Sequence, residues 1–303
     1  MLQKLYASSE RLNPNWITGF TDSEGSFILN VESNKSKKGV SFRPIFAITV
    51  HSSDKYILYK IKKFFNNIGS VRKIRSYYCY KVESTKEMKE VIIPHFEQYP
   101  LLSKNKFKSF FLLKSCVEIL SQNKILSETT ILELLKYKAS FKKGLNAKIF
   151  KKYKNIIEYD INKIINTTRN IEDINPFWLA GFVAGDGSFG VYGRGKPSFR
   201  ISQDKIDELL LINISSFFNS GKITKSKTGM RDLNIRSILD LNNIIIPFFK
   251  KYKLCTSKEI DFYYFCEIMK IINKKGYNKK WMEKDLEKVK LLTLKMNNHR
   301  RKT

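Results

Sequence analysis

The chain has 303 residues and a formal net charge of +28, from 56 Lys and Arg against 28 Asp and Glu. Hydrophobic residues are 42% and aromatics 13%, enough apolar mass to exclude global disorder. The longest apolar runs, such as residues 244–249 and 262–266, fall far short of the roughly 18 that a spanning helix needs, which excludes a transmembrane helix.

The four cysteines (Cys79, Cys116, Cys255, Cys266) form no CxxC pair. They read as core thiols in a reducing compartment rather than a zinc ribbon. His51, His95 and His299 have no HExxH spacing. A charge of +28 requires a polyanion, and nucleic acid is the first candidate. A membrane surface fits less well, because the basic residues are spread along the chain, as from Lys4 through Lys35 to Lys302, instead of gathering on one amphipathic helix. Abundant Lys, Asn, Ile, Phe and Tyr suggest an AT-rich genome, but codon bias alone does not leave acids at half the number of bases. Residues 1–13 lack the apolar core of a signal peptide and are poor in Arg, so neither a signal peptide nor a cleaved presequence is expected.

In chain order, Asn13-Pro14 ahead of Trp16 reads as a capped helix start. The helix runs to Gly25, where glycine can take a left-handed stop. Residues 26–32 alternate, with Phe27, Leu29 and Val31 on one face and Ser26, Asn30 and Glu32 on the other, broken only by Ile28; period two predicts a half-buried strand. Phe42, Phe46, Ile48 and Val50 mark a second strand, opposite Ser41, Arg43 and Thr49. Residues 54–66 have helical spacing, 71–82 read as a hairpin, 92–99 as a short helix and 105–120 as a longer one.

The pattern then recurs. WITGFTDSEGSF from Trp16 is matched by WLAGFVAGDGSF from Trp178, and Asn13-Pro14 by Asn175-Pro176. Phe64-Phe65-Asn66-Asn67 with Gly69 is matched by Phe217-Phe218-Asn219-Ser220 with Gly221, and Ile92-Ile93-Pro94 by Ile245-Ile246-Pro247. Four blocks in one order predict two homologous halves. We assign residues 1–165 to the first, 166–175 to a linker and 176–303 to the second. In half two, strands are predicted at 188–192, 197–203 and within 222–235.

The segments Ile17–Gly25 and Leu179–Gly187 resemble the signature of the LAGLIDADG homing endonucleases, and the likeness extends from about Asn13 to Arg300 through FRISQDK at Phe199, IIPHFEQYPLLS at Ile92, KASFKKGLN at Lys138 and KMNNHR at Lys295. The resemblance implies a single-chain, two-repeat member. Its fold is α+β, with two pseudo-symmetric α-β-β-α-β-β-α domains, each carrying a four-stranded antiparallel DNA-binding sheet.

The motif residues also have a physical reading. Gly19 and Ser23 are four apart on one helix, as are Gly181 and Gly185 on the other, and small residues at that spacing let two helices meet backbone to backbone. Such pairing brings Glu24 and Asp186 together at the helix feet. Two close carboxylates repel, which raises the pKa of one; divalent cations relieve that repulsion, and hard oxygen donors suit Mg²⁺, with Mn²⁺ or Ca²⁺ able to stand in for binding. Two or more such ions clamp the attacking water and the leaving 3′ oxygen of an in-line displacement. The resemblance implies that each acid serves one strand, that the carbonyls of Ser23 and Gly185 are further metal ligands, and that the cut leaves short 3′ overhangs. It also matches Gln203 to a core glutamine, with Val50 as its half-one counterpart, and Lys258 to a core lysine. Its half-one partner is Lys106, or Lys104 if the gap is placed elsewhere.

The alternation defines a polar sheet face in each half for reading base edges in the major groove. In half one it holds Ser26, Asn30, Glu32, Asn34, Ser41, Arg43, Arg72, Lys73 and Arg75. In half two it holds Ser188, Tyr192, Arg194, Ser198, Arg200, Ser202, Lys222, Lys225 and Arg236. Two sheets of about one helical turn each imply a duplex of roughly 20 base pairs, only partly palindromic, with its centre read by bending. A monomer without an obligatory protein partner is expected. The alternatives are an intron RNA maturase of the same fold, bound to its own intron RNA, and a non-catalytic DNA-binding regulator. The composition suggests an organelle-encoded protein from a mitochondrial intron.

Overall fold

The computed structural model describes residues 11–34, 39–123, 125–153, 156, 158, 173–193, 195–275 and 281–296. Most of the expected linker (166–172) and Arg194 lie outside these, as does the side chain of Asn34.

The first helix, α1 (Pro14–Glu24), starts where the Asn13 side chain accepts from the Asn15 N–H at 2.9 Å, with Pro14 in the first turn. Its end corrects the expectation. Gly25 is extended (φ −77°), not left-handed. Glycine is needed there because a Cβ would lie 2.6 Å from the Thr21 carbonyl oxygen, so the chain passes directly from helix into strand.

Strand β1 (Gly25–Asn34) pairs with β2 (Gly39–His51), Phe27 opposite Phe46. A 3-10 turn (Ser52–Asp54) leads into α2 (Lys55–Phe64), then β3 (Ser70–Ile74) and β4 (Tyr77–Val82) close an antiparallel sheet of order β1-β2-β4-β3. The predicted short helix is the end of a longer run: α3 (Thr85–Glu87), a π turn (Met88–Ile92) and α4 (Ile93–Gln98). Helix α5 (Lys104–Gln122) packs on β1. Two helices that periodicity did not identify follow, α6 (Glu128–Ser140) and α7 (Ala147–Lys152).

Half two repeats the order. Asn175 caps α8 (Pro176–Asp186), and Gly187 is again extended (φ −77°). Then come β5 (Gly187–Tyr192), β6 (Lys196–Gln203), a 3-10 turn (Lys205–Asp207), α9 (Glu208–Phe218), β7 (Lys222–Lys225) and β8 (Arg231–Ile235), in sheet order β5-β6-β8-β7. Helix α10 (Ile238–Asp240), a π turn (Leu241–Ile245) and α11 (Ile246–Lys251) precede α12 (Lys258–Lys275) and α13 (Glu283–Lys295). No described helix is long and apolar enough to cross a membrane.

Matching aromatic clusters fill each sheet's helix-covered face: Phe27, Phe46, Phe96 and Phe110 in one half, Phe189, Phe199, Phe249 and Phe262 in the other. Each such ring contributes about 2–3 kcal/mol of transfer free energy, which fixes the opposite face as the one left open. The halves join along α1 and α8. A Cβ on Gly19 would overlap the Trp178 carbonyl oxygen far inside van der Waals contact, and one on Gly181 would do the same at Trp16. The Trp178 indole N–H donates to Asp22 at 2.8 Å and that of Trp16 to the Lys253 carbonyl at 3.2 Å.

Candidate active site and nucleic-acid interface

Glu24 and Asp186 occupy the C-terminal ends of α1 and α8 and are half-buried. The Glu24 Cγ lies 3.1 Å from where a Gly185 Cβ would sit, and Ser23 fills the rest of that space. The small residues at 23 and 185 thus let the two helix feet, and the acids on them, come close together. Gln203 reaches in from the end of β6 and donates to the Asp186 carboxylate at 2.5 Å. Its register counterpart is Val50, which lines a cavity of about 250 Å³ beside Glu24 with Thr49, His51 and Thr256.

Lysines close the pocket from both sides. Lys258, at the start of α12, is 3% exposed and donates to the carbonyls of Val183 (3.0 Å) and Gly185 (2.6 Å). Lys106 donates to the carbonyls of Ser23 (3.3 Å) and Gly25. Lys106 therefore occupies the place equivalent to Lys258, whereas Lys104 offers its backbone N–H to Asp207. Burial holds the Lys106 ammonium below the usual lysine range, opposed by Asp22, Asp186, Glu24 and Asp207. Burial pushes the Asp186 carboxyl above the usual carboxylate range, opposed by the Gln203 hydrogen bond and by Lys258 and Lys106. These shifts reflect one confined, mixed-charge pocket.

No group of three or more His, Cys, Asp and Glu side chains is arranged to hold a metal ion among the described residues. Two carboxylates with adjacent carbonyl oxygens nevertheless fit a hard divalent ion that takes its remaining ligands from water and phosphate. The Ser23 and Gly185 carbonyls each accept a lysine and keep a second lone pair.

Sequence reasoning missed several residues here. Asp22, 3% exposed, accepts from the backbone N–H groups of Leu102 (2.7 Å) and Ser103 (3.2 Å). Asp54 and Asp207 are buried across the interface between the halves. The Thr256 hydroxyl is buried beside the Glu24 cavity without a hydrogen-bond partner among the described residues. Only the repeat alignment hinted at them, since Asp54 and Asp207 occupy matching places after the second strand of each half.

Strand register sorts the proposed reading faces. Ser26, Asn30, Glu32, Ser41, Arg43 and Arg72 share the open face of the first sheet, and Ser188, Tyr192, Ser198, Arg200, Ser202 and Lys222 that of the second. The backbone of Asn34 continues β1, and Arg236 is exposed just beyond β8. Three assignments are corrected. Lys73 pairs with Tyr78 and Lys225 with Arg231, which places both on the helix-covered side. They immediately follow or lie one register step from true open-face residues on edge strands, where exposure on both sides erases the alternation. Arg75 lies in the β3–β4 turn with φ +54°. Ser198 keeps its face but is only 2% exposed, its hydroxyl unpartnered among the described residues.

The same register adds Ser70, Tyr77 and Lys81 in half one and Lys196, Thr224, Asp232 and Asn234 in half two. Glu32 is within 3.1 Å of Arg43 and accepts from Asn30 at 2.7 Å, and Glu83 bridges Arg43 and Lys81. Cys79 belongs not to the main core but to a small open-face cluster with Ile45 and Ala47, and Cys255 and Cys266 are only half-buried.

Two α-β-β-α-β-β-α halves joined along small-residue helices that end in paired acids, each half with an open four-stranded sheet, define the class. The family model for "LAGLIDADG endonuclease" matches residues 17–117 and 179–269, and the chain belongs to that family. It is 33% identical over 290 residues to a probable intron-encoded endonuclease of Neurospora crassa, covering 91% of this chain and 64% of the relative. It is 25% identical over 298 residues to an uncharacterized mitochondrial protein of Saccharomyces cerevisiae, covering 87% and 56%. The chain spans about half to two-thirds of the length of its Neurospora crassa relatives. Among solved structures it superposes on the LAGLIDADG homing endonuclease I-GzeII in complex with its DNA target at a TM-score of 0.86, with 33% identity, covering 96% of this chain and all of that one. The homing endonuclease I-SmaMI bound to cleaved DNA gives a TM-score of 0.84 at 29% identity, covering 95% and 98%. I-SmaMI has also been solved on uncleaved DNA with calcium ions.

Proposed function

We propose that the chain is a site-specific, metal-dependent DNA endonuclease that hydrolyses one phosphodiester on each strand of a duplex of roughly 20 base pairs. The observation that carries this reading is the pair Glu24 and Asp186 at the feet of two packed helices, each foot met by a lysine, half-buried at Lys106 and buried at Lys258, through the carbonyls beside the acid. The working units are residues 1–165 and 176–303, acting as one monomer because a single chain contains both acids.

When bound, Mg²⁺ ions supply charge neutralisation at the phosphate and a more acidic water. The chain's residues do the rest. Glu24 and Asp186 would hold the ions with the Ser23 and Gly185 carbonyls. Lys106 and Lys258 sit where negative charge develops on the transferring phosphate. Gln203 orients the Asp186 carboxylate through its hydrogen bond. The open-face residues read bases, Arg43 and Arg200 being the strongest candidates for bidentate contact to guanine. Relatives that are intron-encoded or mitochondrial support an organellar intron as the source.

The test is cleavage of a randomised duplex library in Mg²⁺, with EDTA and the Glu24→Gln, Asp186→Asn double variant as controls. One recovered sequence family, cut on both strands with short 3′ overhangs, supports the reading. Binding without any cut would leave a regulator, and splicing of an intron RNA without a DNA cut would leave a maturase.

A further inference from the structure

The lysine-bearing helices are not capped by their own halves alone. Helix α5 begins at Lys104, and the half-two acid Asp207 accepts from the Lys104 N–H at 2.6 Å and the Ser103 hydroxyl at 3.2 Å. Helix α12 begins at Lys258, and the half-one acid Asp54 accepts from the Ser257 N–H at 2.5 Å and the Ser257 hydroxyl at 2.8 Å. Both acids are buried, Asp207 2% and Asp54 6% exposed. Burying a carboxylate is costly unless its oxygens are hydrogen-bonded, and an interface needing only cohesion would use apolar side chains. A carboxylate against a helix N-terminus meets both free N–H groups and the favourable end of the dipole.

The caps sit within the first turn of the residues that reach the pocket. Lys106 is two residues beyond the capped N–H of Lys104, and Lys258 adjoins the capped Ser257. Moving either helix start shifts the base of the lysine stem and hence the ammonium at the Ser23 or Gly185 carbonyl. We propose that Asp207 and Asp54 are positioning residues for the reaction, each holding, from one half, the lysine helix of the other half against the foot of its motif helix. This rests on the reading of Lys106 and Lys258 as groups acting at the phosphate. The two clamps differ. In half one, Asp22 also takes the Leu102 and Ser103 N–H groups; its repeat counterpart is Ala184. In half two, Glu259 accepts from the Leu254 N–H at 3.0 Å, so each lysine-helix start also meets an acid of its own half.

The experiment is single-turnover cleavage in Mg²⁺ of the target recovered from the library, labelled on each strand in turn, with affinity measured in Ca²⁺. Lys106→Met and Lys258→Met first identify the strand each lysine serves. Asp207→Ala is expected to slow the Lys106 strand, and Asp54→Ala the Lys258 strand, about tenfold or more beyond the other strand. Affinity should stay within about threefold, because neither acid lies on an open sheet face. Asp207→Asn and Asp54→Asn still accept one N–H and should fall between, and they carry the test if an alanine variant does not fold. Equal slowing of both strands, a loss confined to affinity, or wild-type rates would overturn the proposal and leave the acids as interface contacts. Lysine variants that cut both strands at the wild-type rate, or slow both alike, would overturn the assignment of the lysines, and this proposal with it.

Discussion

Glu24 and Asp186 make opposite demands on binding and on chemistry. On the proposed reading either carboxylate adds negative charge beside phosphates, so Glu24→Gln or Asp186→Asn should leave metal-free affinity unchanged or improved. Double-strand cleavage should fall at least about 100-fold, the equivalent of roughly 3 kcal/mol; full cleavage by either variant would remove these acids from the mechanism. His95 offers a separate measurement away from the site. It is 8% exposed, its Nε2 lies 3.2 Å from the Thr18 hydroxyl, and burial lowers its pKa to about 4. The unfolded chain takes up that proton near pH 6.5. The neutral ring's contribution is therefore complete above about pH 6.5 and is lost as pH falls towards 4, up to roughly 3 kcal/mol. Its counterpart Phe248 sits among equivalent rings, with Phe217, Phe218, Phe249 and Tyr252 matching Phe64, Phe65, Phe96 and Tyr99. His95→Phe should lose less stability than wild type in urea unfolding between pH 7 and 4.5. Parallel losses would show that another group dominates. The buried histidine was not legible in sequence, where IIPHFEQYP resembles any short amphipathic helix.

At the scale of elements, the α1–α8 contact sets two effects against each other. Alanine favours a helix over glycine by about 1 kcal/mol. At Gly19 or Gly181, however, its Cβ must displace the facing backbone, since beyond the overlapping Trp178 and Trp16 carbonyls the Phe182 and Phe20 nitrogens are also only 2.9 Å away. Overpacking should prevail, and Gly19→Ala or Gly181→Ala should cost about 3 kcal/mol or more, read as a shift of the denaturation midpoint. A stabilised variant would mean that the helices can separate freely. These glycines were legible because their spacing has one physical use. The strand faces were legible only in part. Phe27, Leu29 and Val31 alternate cleanly because one side is buried, whereas β3 and β7 are edge strands exposed on both sides, so the residue types at Lys73 and Lys225 do not tell their face.

For the whole molecule, the charge of +28 demands counterion release on binding. With six or more phosphates neutralised, log K against log salt should slope at about −5 or steeper. A flat plot would remove the polyanion argument. The two halves should also act unequally. Asp186 is held by Gln203, while Glu24, one methylene longer, faces Val50 and an open cavity. A displacement of about 1 Å can cost on the order of 100-fold in rate, so a nicked intermediate with one preferred strand is expected in a time course on strand-labelled duplex. Val50→Gln or Gln203→Val should shift that preference more than affinity. Simultaneous loss of both labels, without a nicked circle from a plasmid target, would show that the asymmetry has no kinetic consequence.

The duplication, the helix caps at Asn13 and Asn175, the small-residue spacing and the terminal acids are written in the sequence, because each depends on local geometry or on a repeat visible as letters. Tertiary structure alone decided the rest. It brought the Lys106 ammonium to the Ser23 carbonyl and the Lys104 N–H to Asp207, since both depend on where α5 starts. It made Gly25 and Gly187 extended instead of left-handed, since the following strand leaves no room for a turn. It also placed Asp54 and Asp207 on each other's half, a contact between residues 203 and 103 positions apart that no local pattern encodes, because only docking of the two halves brings those groups into hydrogen-bond range.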